Sequence, residues 1–358
     1  MLDSSVGRAL AVLALLLCQN AFAQAPVVLK VHHFLPAGST THAKLLVPWC
    51  ERIEKESAGR LKCQLHPSMQ LGGTPPQLYD QARDGIADIV WTLPGYTAGR
   101  FPRMEVFELP FMITDAEAAS KAAWEFYEKH ARDEFGDVRP LAVHVHDAGY
   151  LHTRDKQVRM LADFRGLKLR APTRQTNRLL AALGASPVSM PVTGLADAMS
   201  KGVIDGAVIP WEVVPAVKVQ EIARFHTETD PNMPAMYTAV FLLAMNRGTY
   251  DRLSPELRVI IDRNSGLTLS GQAGRLWDEQ KAPARKLAVD RGNTVYVVPA
   301  AELALWQKAA QPVLADWVRD MAKRGVDGDA LLADARALIA RHAASATSAA
   351  SAGGAGRK

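Results

Sequence analysis

The amino-acid sequence predicts an α/β fold in which parallel β-sheet is covered by helices on both faces. Over residues 27–93, three apolar strand patterns alternate with two helical patterns, joined by short links. A second unit of the same kind begins after Gly149. Once both ends of the chain are set aside, about 320 residues remain, which suits two domains with a large core.

Both ends of the chain are expected to lie outside this fold. Residues 1–8 are polar, residues 9–17 form an unbroken apolar run, and Ala21-Phe22-Ala23 is typical of a signal-peptide cleavage site. The apolar run is too short to span a bilayer. We therefore expect residues 1–23 to be a signal peptide that is cleaved after Ala23. The Ala/Ser/Gly-rich tail, residues 342–358, is expected to be disordered.

Local sequence patterns predict each strand and helix of the first unit. Apolar residues alternate along the strands, and apolar stripes follow the helices. Hydroxyl side chains at 39–41 supply an N-cap for the first helix, while Pro75 and Pro76 suit the first turn of the second. In order, the predicted elements are strand 27–34, helix 42–57, strand 61–65, helix 74–84, strand 86–93, helix 115–130 and strand 141–146.

The second unit repeats the alternation, and the chain then returns to the first. A helical pattern capped by Ser254 continues, despite three glycines, to about Arg291. An unbroken helix of that length would measure roughly 50 Å and would touch both units. In order, the predicted elements are strand 167–171, helix 175–183, strand 187–190, helix 193–201, strand 203–209, returning strand 237–245, helix 254–291, strand 294–298 and helices 300–324 and 329–340.

Arg170 is the first candidate for a binding residue. Leu167, Leu169 and Ala171 alternate with Lys168 and Arg170, and the proline that follows closes the strand because it cannot donate to a sheet. Arg170 therefore lies at the carboxyl end of a strand, where open α/β sheets bind ligands. Its guanidinium matches a carboxylate and stays charged. The alternative is an arginine on a solvated strand face.

The sequence argues against several classes of protein. The net charge is +5, but no Lys/Arg block with interleaved aromatic residues occurs, so nucleic-acid binding is not expected. No nucleophile elbow, S-x-x-K, Walker A or strand-linked G-x-G-x-x-G motif is present, so we expect neither an enzyme nor a cofactor. No H-E-x-x-H motif or Cys/His set at ligand spacing predicts a metal. His144 and His146 lie on a predicted strand and are interpreted as structural residues.

Cys50 and Cys63 are the cysteines expected in the exported chain, and we predict that they form a disulfide. From Cys50 the helix continues for about eight residues, or roughly 12 Å. After the turn at Ala58-Gly59 the next strand returns at about 3.3 Å per residue, which brings the two cysteines level. An exported protein meets oxidising conditions. The alternative is two buried free thiols.

Five short motifs now permit a family resemblance. They resemble the solute-binding proteins of tripartite ATP-independent periplasmic (TRAP) transporters, the DctP family, and the likeness extends from about Val27 to at least Met245. The family also has a long helix like the one predicted here. In order, the motifs are Leu71-Gly72-Gly73, Phe107-Glu108-Leu109-Pro110-Phe111, the segment Gly166 to Pro172, Gly184-Ala185-Ser186-Pro187 and Ile204-Asp205-Gly206-Ala207.

The resemblance implies a periplasmic protein with two α/β lobes, a ligand cleft between them and a long helix that spans both. Lobe I would comprise residues 24–147 plus about 236–275, and lobe II residues 148–235 plus about 276–341. Arg170 matches the family's carboxylate-binding arginine. The implied partners are a small organic acid and the membrane subunits of a TRAP transporter.

At other pocket positions the residues differ from those of better-known family members. Tyr150, Leu151 and His152 stand where a second arginine is expected, and Ile209, followed by Trp211 and Glu212, replaces an amide. Glu212 is open to three interpretations: it accepts a hydrogen bond from a ligand, pairs with Arg170 or faces solvent. Trp91, Phe34 and Val192 are candidate walls of the pocket, with a place in the core as the alternative.

These positions predict the ligand class. Arg170 neutralises one carboxylate, whereas a second would be desolvated without a partner unless Arg174 or Lys156 reached the cleft. Ile209 and Trp211 offer apolar surface. We therefore expect a monocarboxylate with an apolar or aromatic body, with an α-keto or α-hydroxy group as a further option. Two other functions stay open: a ligand-sensing protein of the same fold, and an exported α/β hydrolase.

Overall fold

The computed structural model describes residues 25–354, so the predicted signal peptide and residues 355–358 lie outside the described part. Two separate β-sheets, each with helices packed against it, confirm the predicted α/β class. Within residues 25–354, no helix combines the length and apolar character needed to cross a membrane.

The first sheet defines lobe I. Its order is β2-β1-β3-β10-β4, with β1 parallel to β2 and β3, and β10 antiparallel to β3 and β4. The returning strand β10 thus joins lobe I, as the sequence predicts. The strands are β1 (Val27–His33), β2 (Leu61–His66), β3 (Ile89–Thr92), β4 (Val138–Val145) and β10 (Val240–Asn246).

The second sheet defines lobe II, and two of its central strands were not predicted. Its order is β11-β9-β5-β8-β6-β7. Strands β5 and β9 lie next to each other and are buried on both faces, so they lack the alternation that marks a half-exposed strand. The strands are β5 (Gly149–Thr153), β6 (Lys168–Ala171), β7 (Ser186–Ser189), β8 (Gly206–Pro210), β9 (Phe225–Glu228) and β11 (Thr294–Val297).

The α-helices surround these two sheets. They are α1 (Val47–Glu56), α2 (Leu78–Arg83), α3 (Ala116–Phe126), α4 (Arg174–Ala182), α5 (Leu195–Ser200), α6 (Val213–Ala216), α7 (Arg247–Arg252), α8 (Pro255–Arg263), α9 (Gly266–Asp290), α10 (Ala300–Ala322) and α11 (Gly328–Gly354). The single helix expected over 254–291 is two helices, α8 and α9. The break before α9 occurs at Gly266, whose φ of +76° suits glycine.

Four chain segments join the lobes, and one of them is the link between α10 and α11, residues 323–327. Residues 146–148 connect β4 to β5, and residues 229–239 connect β9 to β10. The fourth is α9, about 37 Å long at 1.5 Å per residue. It packs on α3 in lobe I, where a Cβ at Gly274 would lie 2.2 Å from the carbonyl oxygen of Ala116. Farther along, Arg285 of α9 binds Glu228 of lobe II at 2.9 Å.

The last helix differs from the predicted division in two ways. The sequence assigns residues up to 341 to lobe II, yet α11 packs on α3 of lobe I, where Asp334 pairs with Lys129 at 2.8 Å. Helix α11 also continues to Gly354, into the tail expected to be disordered. Alanine, which is abundant in the tail, has the highest intrinsic helix propensity.

Polar contacts also hold the lobes together on one side of the cleft. Glu105, which follows β3 in lobe I, accepts a hydrogen bond from Arg174 of α4 in lobe II at 2.5 Å, and another from Gln175 at 2.6 Å. One turn later, Glu108 is 2% exposed, and its Oε1 accepts from the backbone N–H of Val240 at 3.3 Å. Burial, and next the charge of Glu105, raise the pKa of Glu108 to about 8.

We expect removal of the Cys50–Cys63 disulfide to lower the free energy of unfolding. The bond joins α1 to β2, with Cα atoms 5.7 Å apart and a sequence separation of 13 between the cysteines. Closing a loop of this size in the unfolded chain stabilises the fold by about 3 kcal/mol. Urea unfolding of the double variant Cys50→Ala/Cys63→Ala should show that loss, and a reductant should then have no further effect. Two alkylatable thiols in the denatured, unreduced wild-type protein would contradict the bond.

We also expect Glu108→Gln to flatten the pH dependence of stability. Because the pKa of Glu108 is raised above its ordinary value of 4.5 to about 8, the folded state binds the proton more tightly than the unfolded chain. The stabilisation is therefore complete below pH 4.5 and is lost as the pH rises through 8, by at most about 1.4 kcal/mol per pH unit. Urea unfolding of the wild type and variant across this range measures it. Glu279→Gln, at an exposed position of α9, is the control. Parallel curves for wild type and Glu108→Gln would refute the assignment.

Candidate ligand-binding site

A cavity lies between the lobes where two of the connecting segments cross. About 360 Å³ of space, part of it open to solvent, lies between its atoms. Both lobes contribute walls, and so do α9 and the segment before β10. A ligand in this cavity would therefore contact both lobes at once.

Aromatic side chains form a large part of the lining. The rings of Trp91 and Phe241 stack, with centroids 4.6 Å apart and planes 7° from parallel. The ring centroid of Phe34 lies 5.0 Å from that of Trp91, and the ring centroid of Trp277 of α9 lies 5.4 Å from that of Phe241. These rings come mainly from lobe I, so that lobe presents an aromatic wall to the cavity.

Arg170 supplies the charge in the cavity. It lies near the end of β6 and is 2% exposed. Its Nε donates to the carbonyl oxygen of Met190 at 2.9 Å, and its Nη1 to that of Val208 at 3.3 Å. Among residues 25–354, no carboxylate lies within ion-pair distance of it. A buried cation in this state is well placed to bind an anion.

Neutral polar groups complete the cavity. The hydroxyl oxygen of Tyr96 accepts from the backbone N–H of Val192 at 3.1 Å, and Tyr96 also lies close to Arg170. Burial raises the pKa of both Tyr96 and Tyr237, so their phenols stay protonated. Burial likewise lowers the pKa of His146 to about 3, so its ring is neutral.

Glycine at position 149 allows Tyr237 to reach this cavity. A Cβ at Gly149 would lie 2.0 Å from Cε1 of Tyr237. The two residues also form a bridge between the crossing segments, in which the N–H of Gly149 donates to the carbonyl oxygen of Tyr237 at 3.1 Å. A side chain at 149 would therefore displace the tyrosine ring.

Five of the residues that the sequence singles out line the cavity, and they come from both lobes: Arg170, Ile209, Trp91, Phe34 and Val192. All five are also buried. Trp91 and Phe34 therefore belong to the hydrophobic core and also form part of the cavity wall.

Trp211 and His152 do not line the cavity, and here the expectation was wrong. The indole Nε1 of Trp211 donates to Glu228 at 2.6 Å. Nδ1 of His152 lies 2.6 Å from Nδ1 of His226, and its Nε2 lies 3.1 Å from the carbonyl oxygen of Ile209. Both side chains instead pack together beneath the sheet of lobe II, with ring centroids 4.9 Å apart.

Tyr150 and Glu212 are also absent from the cavity lining. Tyr150 is buried beside α9, where the ammonium of Lys281 lies 5.0 Å from its ring. Glu212 is 3% exposed and borders a different cavity, next to Thr40 and Lys44. None of its three interpretations holds, because it neither lines the site, pairs with Arg170 nor faces solvent. Burial raises the pKa of Glu212 to about 7.

Neither of the two other candidate cations reaches the cavity. Arg174 is engaged by Glu105 and by Asp320, the latter at 3.0 Å. The ammonium of Lys156 donates to the carbonyl oxygen of Asp163 at 2.7 Å near the surface. Nowhere in residues 25–354 do three or more His, Cys, Asp or Glu side chains lie together as metal ligands do.

Sequence reasoning missed several lining residues: Tyr96, His146, Tyr237, Phe241 and Trp277. His146 ends a predicted strand, and the rule that places ligands at the carboxyl ends of strands would have found it. Trp277 carries no local signal, because its position depends on how α9 crosses the cleft.

Comparisons with known proteins give a consistent result. Residues 31–320 match the family described as bacterial extracellular solute-binding protein, family 7, or DctP. A crystal structure of a TRAP solute-binding protein from Rhodoferax ferrireducens T118, with copurified benzoate, is 53% identical, with a TM-score of 0.88. That match covers 89% of this chain and 99% of the other.

Two further solved structures are similar. A TRAP solute-binding protein from a marine metagenome, specific for aromatic acids and crystallised with 3-hydroxybenzoate, is 45% identical, with a TM-score of 0.87 over 89% of this chain and 99% of that one. A protein from Bordetella bronchiseptica with bound (R)- and (S)-mandelate is 32% identical, with a TM-score of 0.82 over 88% and 99% of the two chains.

Proposed function

The chain belongs to the DctP family of bacterial extracellular solute-binding proteins, the binding proteins of TRAP transporters, and on that premise we propose that it captures an aromatic monocarboxylate in the cleft between its lobes. The observation that carries this proposal is Arg170, a buried guanidinium with no carboxylate partner among the described residues, in a cavity whose other walls are in large part aromatic.

The charge of the site supports one carboxylate per ligand. Arg170 is the charged side chain that lines the cavity, and the two other candidate cations are engaged elsewhere. A second carboxylate would lose its hydration without gaining a partner, which costs several kcal/mol. Dicarboxylates should therefore bind poorly.

The walls support an aromatic body. The rings of Phe34, Trp91 and Phe241 line the cavity, and a ligand ring that leaves water to contact them gains about 25 cal/mol per Å² of apolar area. Aromatic pairs add about 0.5–1.5 kcal/mol beyond that area. The similar proteins were solved with benzoate, 3-hydroxybenzoate and mandelate, each a monocarboxylate with one aromatic ring.

The two lobes have different tasks in this mechanism. Arg170 of lobe II, held by two backbone carbonyls, binds the carboxylate with the bidentate geometry of a guanidinium. Rotation about the connecting segments then brings Phe34, Trp91 and Phe241 of lobe I over the ring and excludes water. Glu105 of lobe I and Arg174 of lobe II are in contact in this structure.

We infer that the protein acts in the periplasm and delivers its ligand to the membrane subunits of a TRAP transporter, as members of its family do. The alternative of an exported hydrolase has no support from the family or from the similar structures. Loss of uptake of the ligand in a strain that lacks the gene would test the transport role.

We expect Arg170→Ala to abolish most binding. Loss of the cation should cost roughly 2–5 kcal/mol of binding free energy, because the carboxylate would be buried without a partner. Arg170→Lys should also bind weakly, since an ammonium cannot reproduce the bidentate geometry. Calorimetry with benzoate measures both effects. Lys168→Ala removes an exposed cation from the same strand and is the matched control. Near-wild-type affinity in both Arg170 variants would refute the assignment.

We expect aryl monocarboxylates to bind well ahead of C4-dicarboxylates. In a thermal-shift screen of the mature protein, benzoate and mandelate should raise the melting temperature, because a ligand that binds only the folded state stabilises it. Succinate and malate should have little effect. Tight binding of a C4-dicarboxylate together with no response to any monocarboxylate would overturn the proposed ligand class.

A further inference from the structure

His146 has an unused hydrogen-bonding atom at the cavity. Its side chain lines the cavity and is 2% exposed. Nδ1 is hydrogen-bonded to the carbonyl oxygen of Asp147, whereas Nε2 is buried and has no partner among the described residues. In the neighbouring His144, by contrast, both imidazole nitrogens have a hydrogen-bond partner. Its Nε2 accepts from Trp91 at 2.9 Å, and its Nδ1 lies 3.2 Å from the carbonyl oxygen of Val145.

The contact with Asp147 assigns the tautomer of His146. A carbonyl oxygen can only accept, so Nδ1 must carry a proton and donate it. The ring is neutral, because burial holds its pKa at about 3, and a neutral imidazole has one N–H. Nε2 is therefore a bare lone pair that accepts hydrogen bonds and cannot donate them.

No group among the described residues donates a hydrogen bond to that lone pair. The ring packs edge-on against Tyr237 at 5.0 Å and lies 6.1 Å from Phe241 and 6.0 Å from Trp277, with no hydrogen bond between Nε2 and any of these rings. A buried acceptor without a donor is unfavourable, and it becomes favourable when a ligand supplies the donor. A carboxylate cannot do so, because it too only accepts.

The geometry points to a hydroxyl subsite: His146 selects ligands that carry a hydroxyl group besides the carboxylate, and Nε2 accepts the hydrogen bond from that hydroxyl. This inference rests on the proposed function and narrows it, because Arg170 binds the carboxylate of the same molecule. The ligand class is thus a hydroxylated aromatic monocarboxylate, in which the hydroxyl is on the ring or on the carbon next to the carboxylate.

Matched ligand pairs test this without any variant. Fluorine is close to a hydroxyl group in size but has no hydrogen to donate. Each of the three hydroxybenzoates is therefore compared with the fluorobenzoate substituted at the same position. Mandelate is compared with phenylacetate, which lacks its hydroxyl group. Calorimetry on the wild-type protein should show at least one hydroxyl ligand binding roughly 3- to 10-fold more tightly than its partner. Equal affinities within every pair would overturn the inference, while binding of both members would leave the proposed function standing.

His146→Phe then tests whether the preference depends on Nε2. The variant keeps an aromatic ring and removes the acceptor, so the affinity ratio within the preferred pair should fall to about 1. His146→Leu serves as a second variant if His146→Phe does not fold. An unchanged ratio in a folded variant would overturn the assignment to His146. If no aromatic monocarboxylate binds the wild-type protein at all, the proposed function fails, and the hydroxyl subsite fails with it.

Discussion

The burial of a guanidinium without a carboxylate is the constraint around which the cleft is built. Arg170 loses its hydration in the closed arrangement, and backbone carbonyls of Met190 and Val208 compensate only part of that loss. Both carbonyls lie within lobe II, so the arginine is oriented before lobe I takes part. An anion that enters the cavity supplies the missing charge, which makes ligand binding and lobe closure favour one another.

The parts of the site that could be predicted from sequence have local patterns. Arg170 ends a strand that alternates clearly, and a rule about the ends of strands in α/β sheets then places it at the cleft. The same holds for Trp91, which lies near the end of β3, and for Ile209 near the end of β8. The α/β class also follows from periodicity within single segments.

The remaining lining depends on contacts between distant segments, which periodicity does not encode. Trp211 and Ile209 are only two positions apart, yet one binds Glu228 beneath the sheet and the other faces the cavity, because the chain turns at the end of β8. Strand β5 went unrecognised because its five residues are all buried. Tyr237 reaches the cavity only because Gly149, almost ninety residues earlier, has no side chain.

The packing of α11 on α3 places the last described helix on the same lobe as β1. Lobe II therefore consists of two stretches of chain, residues 149–228 and 294–322, and each of them is preceded and followed by elements of lobe I or by α9. A tether at either terminus, such as a fluorescent fusion or an anchor to a sensor surface, would hold lobe I still and leave lobe II free to turn. The architecture thus suits the protein to work as a reporter of its own ligand.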